Sequence, residues 1–152
     1  MEKINHINIR VYGLIINEKN EILLSDEYML DRYMIKFPGG GLIPGEGTED
    51  CLKREALEEF GEEIEILSHF YTTGFFQKAL FYEDHQLISI YYRARLKNEP
   101  SFKISAQKFD FIGETNGNQS FRWAKIKNLN EEELTFPIDR YVIKLLKSEN
   151  HF

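Results

Sequence analysis

Four glutamates in one short segment have the spacing of a cation-binding face. Glu55, Glu58, Glu59 and Glu62 occur at positions i, i+3, i+4 and i+7, so in a helix all four carboxylates lie on one side. No lysine or arginine interrupts these four positions. Like charges at this spacing cost a helix roughly 0.2–0.5 kcal/mol per pair. The pattern therefore predicts a hard cation such as Mg²⁺, which binds carboxylate and phosphate oxygens.

A solvated surface helix is the alternative explanation, because most runs of charge in proteins are exposed faces. The neighbouring residues favour a site. Gly39, Gly40 and Gly41 precede the helix, and a glycine turn lets main chain approach a metal or phosphate closely. Arg54 lies four residues before Glu58 and can orient a carboxylate bidentately. Taken alone, Arg54 would equally be an ordinary surface ion pair worth less than about 1 kcal/mol.

The segment from Gly40 to Glu62 resembles the signature box of the Nudix hydrolases. It reads GGLIPGEGTEDCLKREALEEFGE, with the fixed glycine, glutamate and arginine positions at the box's spacings, and the preceding Phe37-Pro38-Gly39 resembles the usual lead-in. Two positions depart from the pattern. Ala56 stands where a larger aliphatic residue is typical, and Glu62 stands where an aliphatic residue is usual. We therefore expect Glu62 not to bind metal.

The resemblance implies a metal site and a reaction. The implied ligands of Mg²⁺, for which Mn²⁺ is a substitute, are the Gly39 carbonyl, Glu55, Glu58 and Glu59, and Glu46 is a supporting residue. A metal-activated water would cleave a phosphoanhydride bond in a nucleoside diphosphate linked to another group, or in a nucleoside triphosphate. Glu58 or Glu59 is the candidate general base, and Arg54 belongs to the catalytic set.

A later loop offers a second candidate for the base. Some relatives in the family use a glutamate there, and Glu114 in the loop 109–119 is the match in this chain, with Asp110 second. An ordinary solvated loop residue explains Glu114 equally well, so the identity of the base stays open at this point.

Residues after the box do not determine the substrate. The proline typical of ADP-ribose hydrolases is missing, since no proline occurs between Glu62 and Glu99. The tyrosine typical of dinucleoside-polyphosphate hydrolases has no clean match. Several aromatic residues could stack on a base, although buried packing is the more common use of such side chains: Phe75, Phe76, Phe81, Tyr82 and Phe136.

Composition indicates one globular domain over residues 1–152, with 42% apolar and 29% charged residues. The net charge of −6 argues against a nucleic-acid partner, which would demand clustered lysine and arginine. No segment approaches membrane-spanning length, and the first residues do not resemble a signal peptide. The single cysteine, Cys51, is expected to be a packing residue in a reducing cytoplasm.

Three other functions compete with hydrolysis of a small nucleotide. One is an isomerase relative of the family, although the box is typically modified there and the chain longer. A Nudix domain can bind a nucleotide as a sensor or regulator without cleaving it, although such domains usually lose box carboxylates. An RNA-decapping enzyme is disfavoured by the acidic balance. A homodimer is common in the family, and the sequence itself does not determine the oligomeric state.

The elements that must position the glutamates follow from periodicity and turn residues. We predict strands at 7–16 and 21–25 joined as a hairpin, a loop at 26–33, and a short strand at 34–37. A helix should begin with Thr48 as its N-cap, bury Leu52, Ala56 and Phe60, and end at Gly61. Further strands are predicted at 63–67, 69–76, 86–96 and 120–126.

A second helix is predicted at 137–147, with Pro137 in its first turn and one apolar face: Ile138, Tyr141, Val142, Leu145 and Leu146. The order of elements indicates an α/β fold with helices packed on a mixed sheet. The resemblance implies the same architecture, an α/β/α sandwich whose mixed β-sheet is flanked by helices.

Overall fold

The computed structural model describes residues 3–149, and this part of the chain contains seven strands and two α-helices. In chain order they are β1 (His6–Ile15), β2 (Glu21–Met29), β3 (Arg32–Lys36), β4 (Gly39–Gly41), α1 (Thr48–Phe60), β5 (Ile64–Thr72), β6 (His85–Leu96), β7 (Asn118–Lys125) and α2 (Pro137–Lys147). Neither helix is long and apolar enough to cross a membrane.

The strands form two sheets. One is four-stranded in the order β4-β1-β6-β5, and the other is three-stranded in the order β3-β2-β7. In the first sheet β1 runs parallel to β6, whereas its pairing with β4 and the pairing of β5 with β6 are antiparallel. The predicted mixed α/β fold is confirmed, with its strands divided between two sheets.

Helices cover both sides of the strand layer, because successive residues of a strand point to opposite faces. Val11 of β1 packs in one buried cluster with Leu52 of α1. Tyr12 and Leu14 pack in the other cluster with Val142 of α2. The three layers are therefore α1, the strands and α2.

Helix α1 buries the apolar face that the sequence predicts. Leu52 is 1% exposed, Ala56 2% and Phe60 7%. The helix ends as predicted at Gly61, which has a left-handed backbone (φ 68°) and donates its N–H to the carbonyl of Leu57. This packing fixes the rotation of α1, and with it the direction in which the glutamates point.

The predicted N-cap of α1 is wrong. Gly47 is the N-cap, and no side chain caps the helix there. The Thr48 hydroxyl instead shares a hydrogen bond of 2.6 Å with the Tyr92 hydroxyl on β6. A tertiary partner has therefore replaced the local capping bond that the sequence favours.

The predicted hairpin between β1 and β2 is also wrong, because the two strands lie in different sheets. The turn itself exists, and Asn17 accepts hydrogen bonds from Lys19 and Glu21 through its side chain. Only the isolated bridge between Ile16 and Ile22 joins the segments. Both edges of β1 are already paired, with β4 and β6, so β2 cannot pair along its length.

The predicted loop at 26–33 is a tight β-hairpin instead. Strand β2 continues to Met29, and β3 begins at Arg32. Leu30 and Asp31 between them both have positive φ, at 51° and 58°. Such a two-residue turn normally signals itself by Asn or Gly, which are missing here. Extending these strands brings Glu27 to the same sheet face as Lys36.

The later elements largely follow the predictions. The strands expected at 63–67 and 69–76 are one strand, β5, whose register shifts twice. Helix α2 has the predicted bounds and buries Ile138, Val142 and Leu146. Its face is rotated from the prediction, because Tyr141 is 41% exposed and Ile143 is fully buried. The rotation also buries Asp139, which is 1% exposed.

Candidate active site

A cavity of about 420 Å³ lies against the face of the four-stranded sheet that is turned toward α2. Its floor consists of alternate residues of two paired strands. Arg10 and Tyr12 of β1 lie beside Ser89 and Tyr91 of β6, in register. Strand β4 closes one side, so the glycine turn borders the cavity directly.

The cavity is lined by two kinds of residue. Charged side chains are one kind, namely Glu27, Lys36, Glu55 and Glu59. The other kind is mainly apolar and includes one buried carboxylate: Met34, Phe81, Phe136, Ile138 and Asp139. A ligand that combines a highly charged part with a flat, partly apolar part matches this lining.

The glycine turn leaves no room for side chains. A Cβ added to Gly39, whose φ is 145°, would lie 2.1 Å from the carbonyl oxygen of Val11. A Cβ added to Gly40 would lie 2.5 Å from the carboxylate of Glu55. The glycines therefore allow the carboxylate of the helix to lie against bare main chain.

Arg54 ties the box residues together. Its guanidinium donates two hydrogen bonds to the carboxylate of Glu46, of 2.9 and 2.8 Å. The same group donates to Glu55 at 3.0 Å, to Glu58 at 3.1 Å and to the Gly41 carbonyl at 3.1 Å. The bonds that Glu46 accepts from Arg54, together with one from the Ile43 N–H, lower the pKa of Glu46 to about 2. The bidentate partner of Arg54 is thus Glu46, and Glu55 and Glu58 each receive one bond.

Lys36 places a buried cation among the predicted ligands. Its ammonium donates to the Gly39 carbonyl at 3.3 Å and lies 3.3 Å from Glu27 and 3.9 Å from Glu59. The residue is 6% exposed. Sequence reasoning missed both Lys36 and Glu27. The available sequence signal was the two-residue repeat of side-chain direction in a strand, which puts Lys36 of β3 on the same face as the buried Met34.

Glu59 is the most perturbed carboxylate beside Lys36. Its side chain is 15% exposed and accepts hydrogen bonds from the Gly39 N–H and the Gln119 amide. Burial raises the pKa of Glu59 to about 7, with Glu27 raising it further and Lys36 opposing the rise. A carboxyl group with this pKa can take up and release a proton near neutral pH.

Glu58 differs from its neighbours. Its side chain is 59% exposed, contacts Arg54, and is not among the residues that line the cavity. Among residues 3–149, no three Asp, Glu, His or Cys side chains are already arranged to hold a metal ion. The structure therefore brings Gly39, Glu55 and Glu59 to the cavity, whereas Glu58 does not line it.

The loop candidates for the base lie elsewhere. Glu114 accepts hydrogen bonds from the hydroxyls of Tyr28, at 3.4 Å, and Tyr33, at 3.2 Å. Asp110 pairs with Lys103 at 2.9 Å, which lowers the pKa of Asp110. Neither carboxylate lines the cavity in the structure.

Glu62, which stands where the box usually has an aliphatic residue, is held by hydrogen bonds outside the cavity. It is 6% exposed and accepts hydrogen bonds from the backbone N–H of Ser101, at 2.7 Å, and from the Ser101 hydroxyl. These bonds lower the pKa of Glu62. The side chain fastens the loop after β6 to the end of α1 and does not line the cavity.

Asp139 is a further functional candidate that sequence reasoning missed. One carboxylate oxygen accepts a hydrogen bond of 2.5 Å from the Tyr91 hydroxyl, and the other, Oδ2, is buried without a partner. Burial raises the pKa of Asp139 to about 6. A buried polar atom without a partner costs free energy, and Asp139 lines the cavity, so a ligand there would lie close to this oxygen. In the sequence Asp139 reads only as an acidic residue in the first turn of a helix.

The aromatic candidates divide into two groups. Phe81, Tyr82 and Phe136 line the cavity, and the rings of Phe81 and Phe136 lie 5.9 Å apart at 74°. Phe75 packs on Tyr141 outside the cavity, and the exposed Phe76 does not line the cavity either. The first group can therefore contact a ligand, whereas Phe75 covers the outer face of α2.

Comparison with known proteins gives one family and many similar folds. A family model described as the NUDIX domain matches residues 6–146. A MutT protein from Methanosarcina mazei Go1 is 20% identical, with a TM-score of 0.68 over 100% of this chain and 99% of its own. A NUDIX hydrolase from Nitrosomonas europaea is 17% identical, with a TM-score of 0.68 over 95% and 91%. No curated protein matches the sequence.

Proposed function

The chain belongs to the Nudix family, and we propose that it hydrolyses a phosphoanhydride bond of a small nucleotide with the help of a divalent cation. One observation carries the proposal. A single cavity is lined both by the box carboxylates Glu55 and Glu59 and by Asp139 with the aromatic residues Phe81 and Phe136. A polyphosphate with its cation and a nucleobase are the two parts of a nucleotide that these groups suit.

Several residues of the cavity suit Mg²⁺ or Mn²⁺. Gly39, Glu55 and Glu59 offer only oxygen donors, which hard cations prefer. The buried Lys36 ammonium already lies against Gly39 and Glu59, so this part of the cavity accommodates positive charge. When bound, the cation would activate a water molecule and neutralise phosphate charge. Glu58 would join these ligands once its exposed side chain turned from Arg54 toward the cavity.

Glu59 is the proposed general base. The carboxylate lines the cavity and can accept a proton from the attacking water, and a bound cation would lower its pKa from the value of about 7 that burial gives it. The N–H of Gly39 and the amide of Gln119 hold the carboxylate in place. As the water oxygen bonds to phosphorus, the anhydride P–O bond breaks and the leaving phosphate departs with the bonding electrons.

Asp139 is proposed to bind the base. Its Oδ2 atom can accept a hydrogen bond from an N–H group, which nucleobases carry on their edges. The Tyr91 hydroxyl fixes the other oxygen, and Phe81 and Phe136 supply apolar surface beside it. The substrate class is therefore a nucleoside triphosphate, or a nucleoside diphosphate linked to another group, whose base presents an N–H donor.

Lys36 also supports a second candidate, a Nudix domain that binds a nucleotide as a regulator without cleaving it. Its ammonium holds the Gly39 carbonyl and lies near Glu59, and Glu58 points outward. If that arrangement persisted with nucleotide bound, the domain would bind the nucleotide without hydrolysing it. Retention of all the box carboxylates favours the hydrolase.

A product screen separates the two functions. The protein is incubated with nucleoside triphosphates and nucleoside diphosphate derivatives, each with Mg²⁺, with Mn²⁺ and with EDTA, and the products are identified by mass. The hydrolase predicts a nucleoside mono- or diphosphate product that forms only with the cation. Binding of a nucleotide without turnover in any condition would support the regulator and overturn the proposal.

A further inference from the structure

We propose that the guanidinium of Arg10 binds the phosphate chain of the substrate, an inference that rests on the proposed function and adds a contact outside the box. Arg10 projects from β1 onto the floor of the cavity. It is flanked by Gly41 on β4 and Ser89 on β6, which are its partners across the sheet. Arg10 thus lies next to the glycine turn, on the wall of the cavity.

Arg10 is a half-buried cation without a carboxylate partner. Its only hydrogen bond among the described residues runs from Nε to the Tyr12 hydroxyl, at 3.1 Å. No Asp or Glu of residues 3–149 lies within ion-pair distance of it, whereas Lys36 and Arg54 each have carboxylate partners. Several guanidinium N–H groups therefore remain available, and a planar guanidinium suits two oxygens of one phosphate.

Tyr12 orients the guanidinium. The Arg10 carbon Cζ lies 5.7 Å from the centre of the Tyr12 ring, and the ammonium of Lys36 lies 5.6 Å from the same centre. Two cations at one ring repel each other, and an anion between or beside them would relieve the repulsion. Because Nε is engaged by the Tyr12 hydroxyl, the terminal nitrogens are left for that anion.

Packing on Tyr12 is the competing explanation for Arg10, since a cation beside an aromatic ring is common in proteins. A purely structural role predicts that removing the guanidinium lowers stability and leaves phosphate affinity unchanged. A phosphate-binding role predicts that removing the guanidinium weakens phosphate affinity and leaves stability unchanged.

The test uses imidodiphosphate, a non-hydrolysable pyrophosphate analogue, as the titrant in calorimetry at low salt. Wild type, Arg10→Gln, Arg10→Lys and Tyr12→Phe are compared with and without Mg²⁺. Arg95→Gln is the matched control, because Arg95 pairs with the exposed Glu65 and does not line the cavity. Circular dichroism and thermal unfolding verify that each variant is folded.

We expect Arg10→Gln to weaken imidodiphosphate binding roughly 10- to 100-fold, the loss of one or two hydrogen bonds to a charged group. Arg10→Lys should fall between that variant and wild type, Tyr12→Phe should lose only a few-fold, and Arg95→Gln should match wild type. Equal affinity in wild type and Arg10→Gln overturns the proposal, as does failure of wild type to bind in both conditions. Arg10-dependent binding without turnover in the product screen would leave this inference standing and remove the proposed hydrolysis.

Discussion

The ammonium nitrogen of Lys36 lies 3.9 Å from a carboxylate oxygen of Glu59, and both side chains are largely buried. The same ammonium holds the Gly39 carbonyl. A cation supplied by the chain thus balances part of the charge of the box before any ion arrives. The pair links strand β3 to helix α1 at the point where the proposed metal would bind.

Replacing Lys36 by Met should destabilise the protein and make it depend on metal. Removing one partner of a buried ion pair leaves the other charge uncompensated, which costs about 3–5 kcal/mol. At pH 8 and without metal we expect a loss of that order in the free energy of unfolding by urea. Added Mn²⁺ should restore more stability to the variant than it adds to wild type. Lys53→Met, at an exposed position of α1, is the control, and an equal Mn²⁺ effect on all three proteins would contradict this prediction.

The Glu59 carboxyl should make stability depend on pH. Its pKa is raised from an ordinary value of 4.5 to about 7, so the folded state holds its proton more tightly than the unfolded state does. The resulting stabilisation, about 3 kcal/mol from 1.36 kcal/mol per pKa unit, is complete below pH 4.5 and lost as pH rises through 7. Glu59→Gln removes this dependence and should be the more stable protein at pH 8. Urea unfolding across pH measures it, and parallel profiles for the two proteins would refute it.

Arg54→Lys should impair turnover while the fold survives. The Arg54 guanidinium donates two hydrogen bonds to Glu46 and one each to Glu55 and Glu58, and a lysine ammonium cannot reproduce this planar arrangement. We expect kcat to fall roughly 10- to 100-fold, as for groups that orient metal ligands, with a smaller change in KM. Arg95→Lys serves as the control for a generic arginine replacement. Activity of Arg54→Lys within twofold of wild type would show that the network does not matter for catalysis.

Asp139→Asn should change the preference among bases. The substitution retains an oxygen for the Tyr91 hydroxyl and can place an amide donor where the unpartnered acceptor stands. Mismatched buried polar groups cost about 1–3 kcal/mol, so the ratio of kcat/KM between the best and the other nucleotides should shift roughly 10-fold or more. In wild type the preference should also weaken as pH falls below about 6, where Asp139 protonates. An unchanged order of substrates, with Asp31→Asn as the surface control, would exclude Asp139 from base recognition.

The box helix could be predicted from sequence because its information is local. Leu52, Ala56 and Phe60 follow helical periodicity, and Gly61 marks the end of the helix. The departure at Glu62 was also interpretable, since a residue outside the pattern was not expected to bind metal. Its partner, Ser101, lies 39 positions away in the sequence, and no local signal identifies it.

The missed site residues depend on long-range pairing. Glu27 and Lys36 meet because β2 and β3 form a hairpin whose turn, at Leu30 and Asp31, lacks the usual turn residues. Asp139 becomes a site residue only because α2 packs over Tyr91, in a strand 48 residues earlier. Periodicity identifies elements, but it does not determine which of their polar residues share a cavity.

The central claim is that the carboxylates at the glycine turn perform cation-dependent hydrolysis. The most direct measurement is kcat at pH 8 with Mg²⁺ for wild type, Glu59→Gln and Glu62→Gln, on the best substrate of the product screen. Both variants lose one carboxylate from the same helix end, but only Glu59 lines the cavity. The account predicts that Glu59→Gln loses roughly 100-fold or more while Glu62→Gln stays near wild type. Full activity in Glu59→Gln, or an equal loss in both variants, would contradict it.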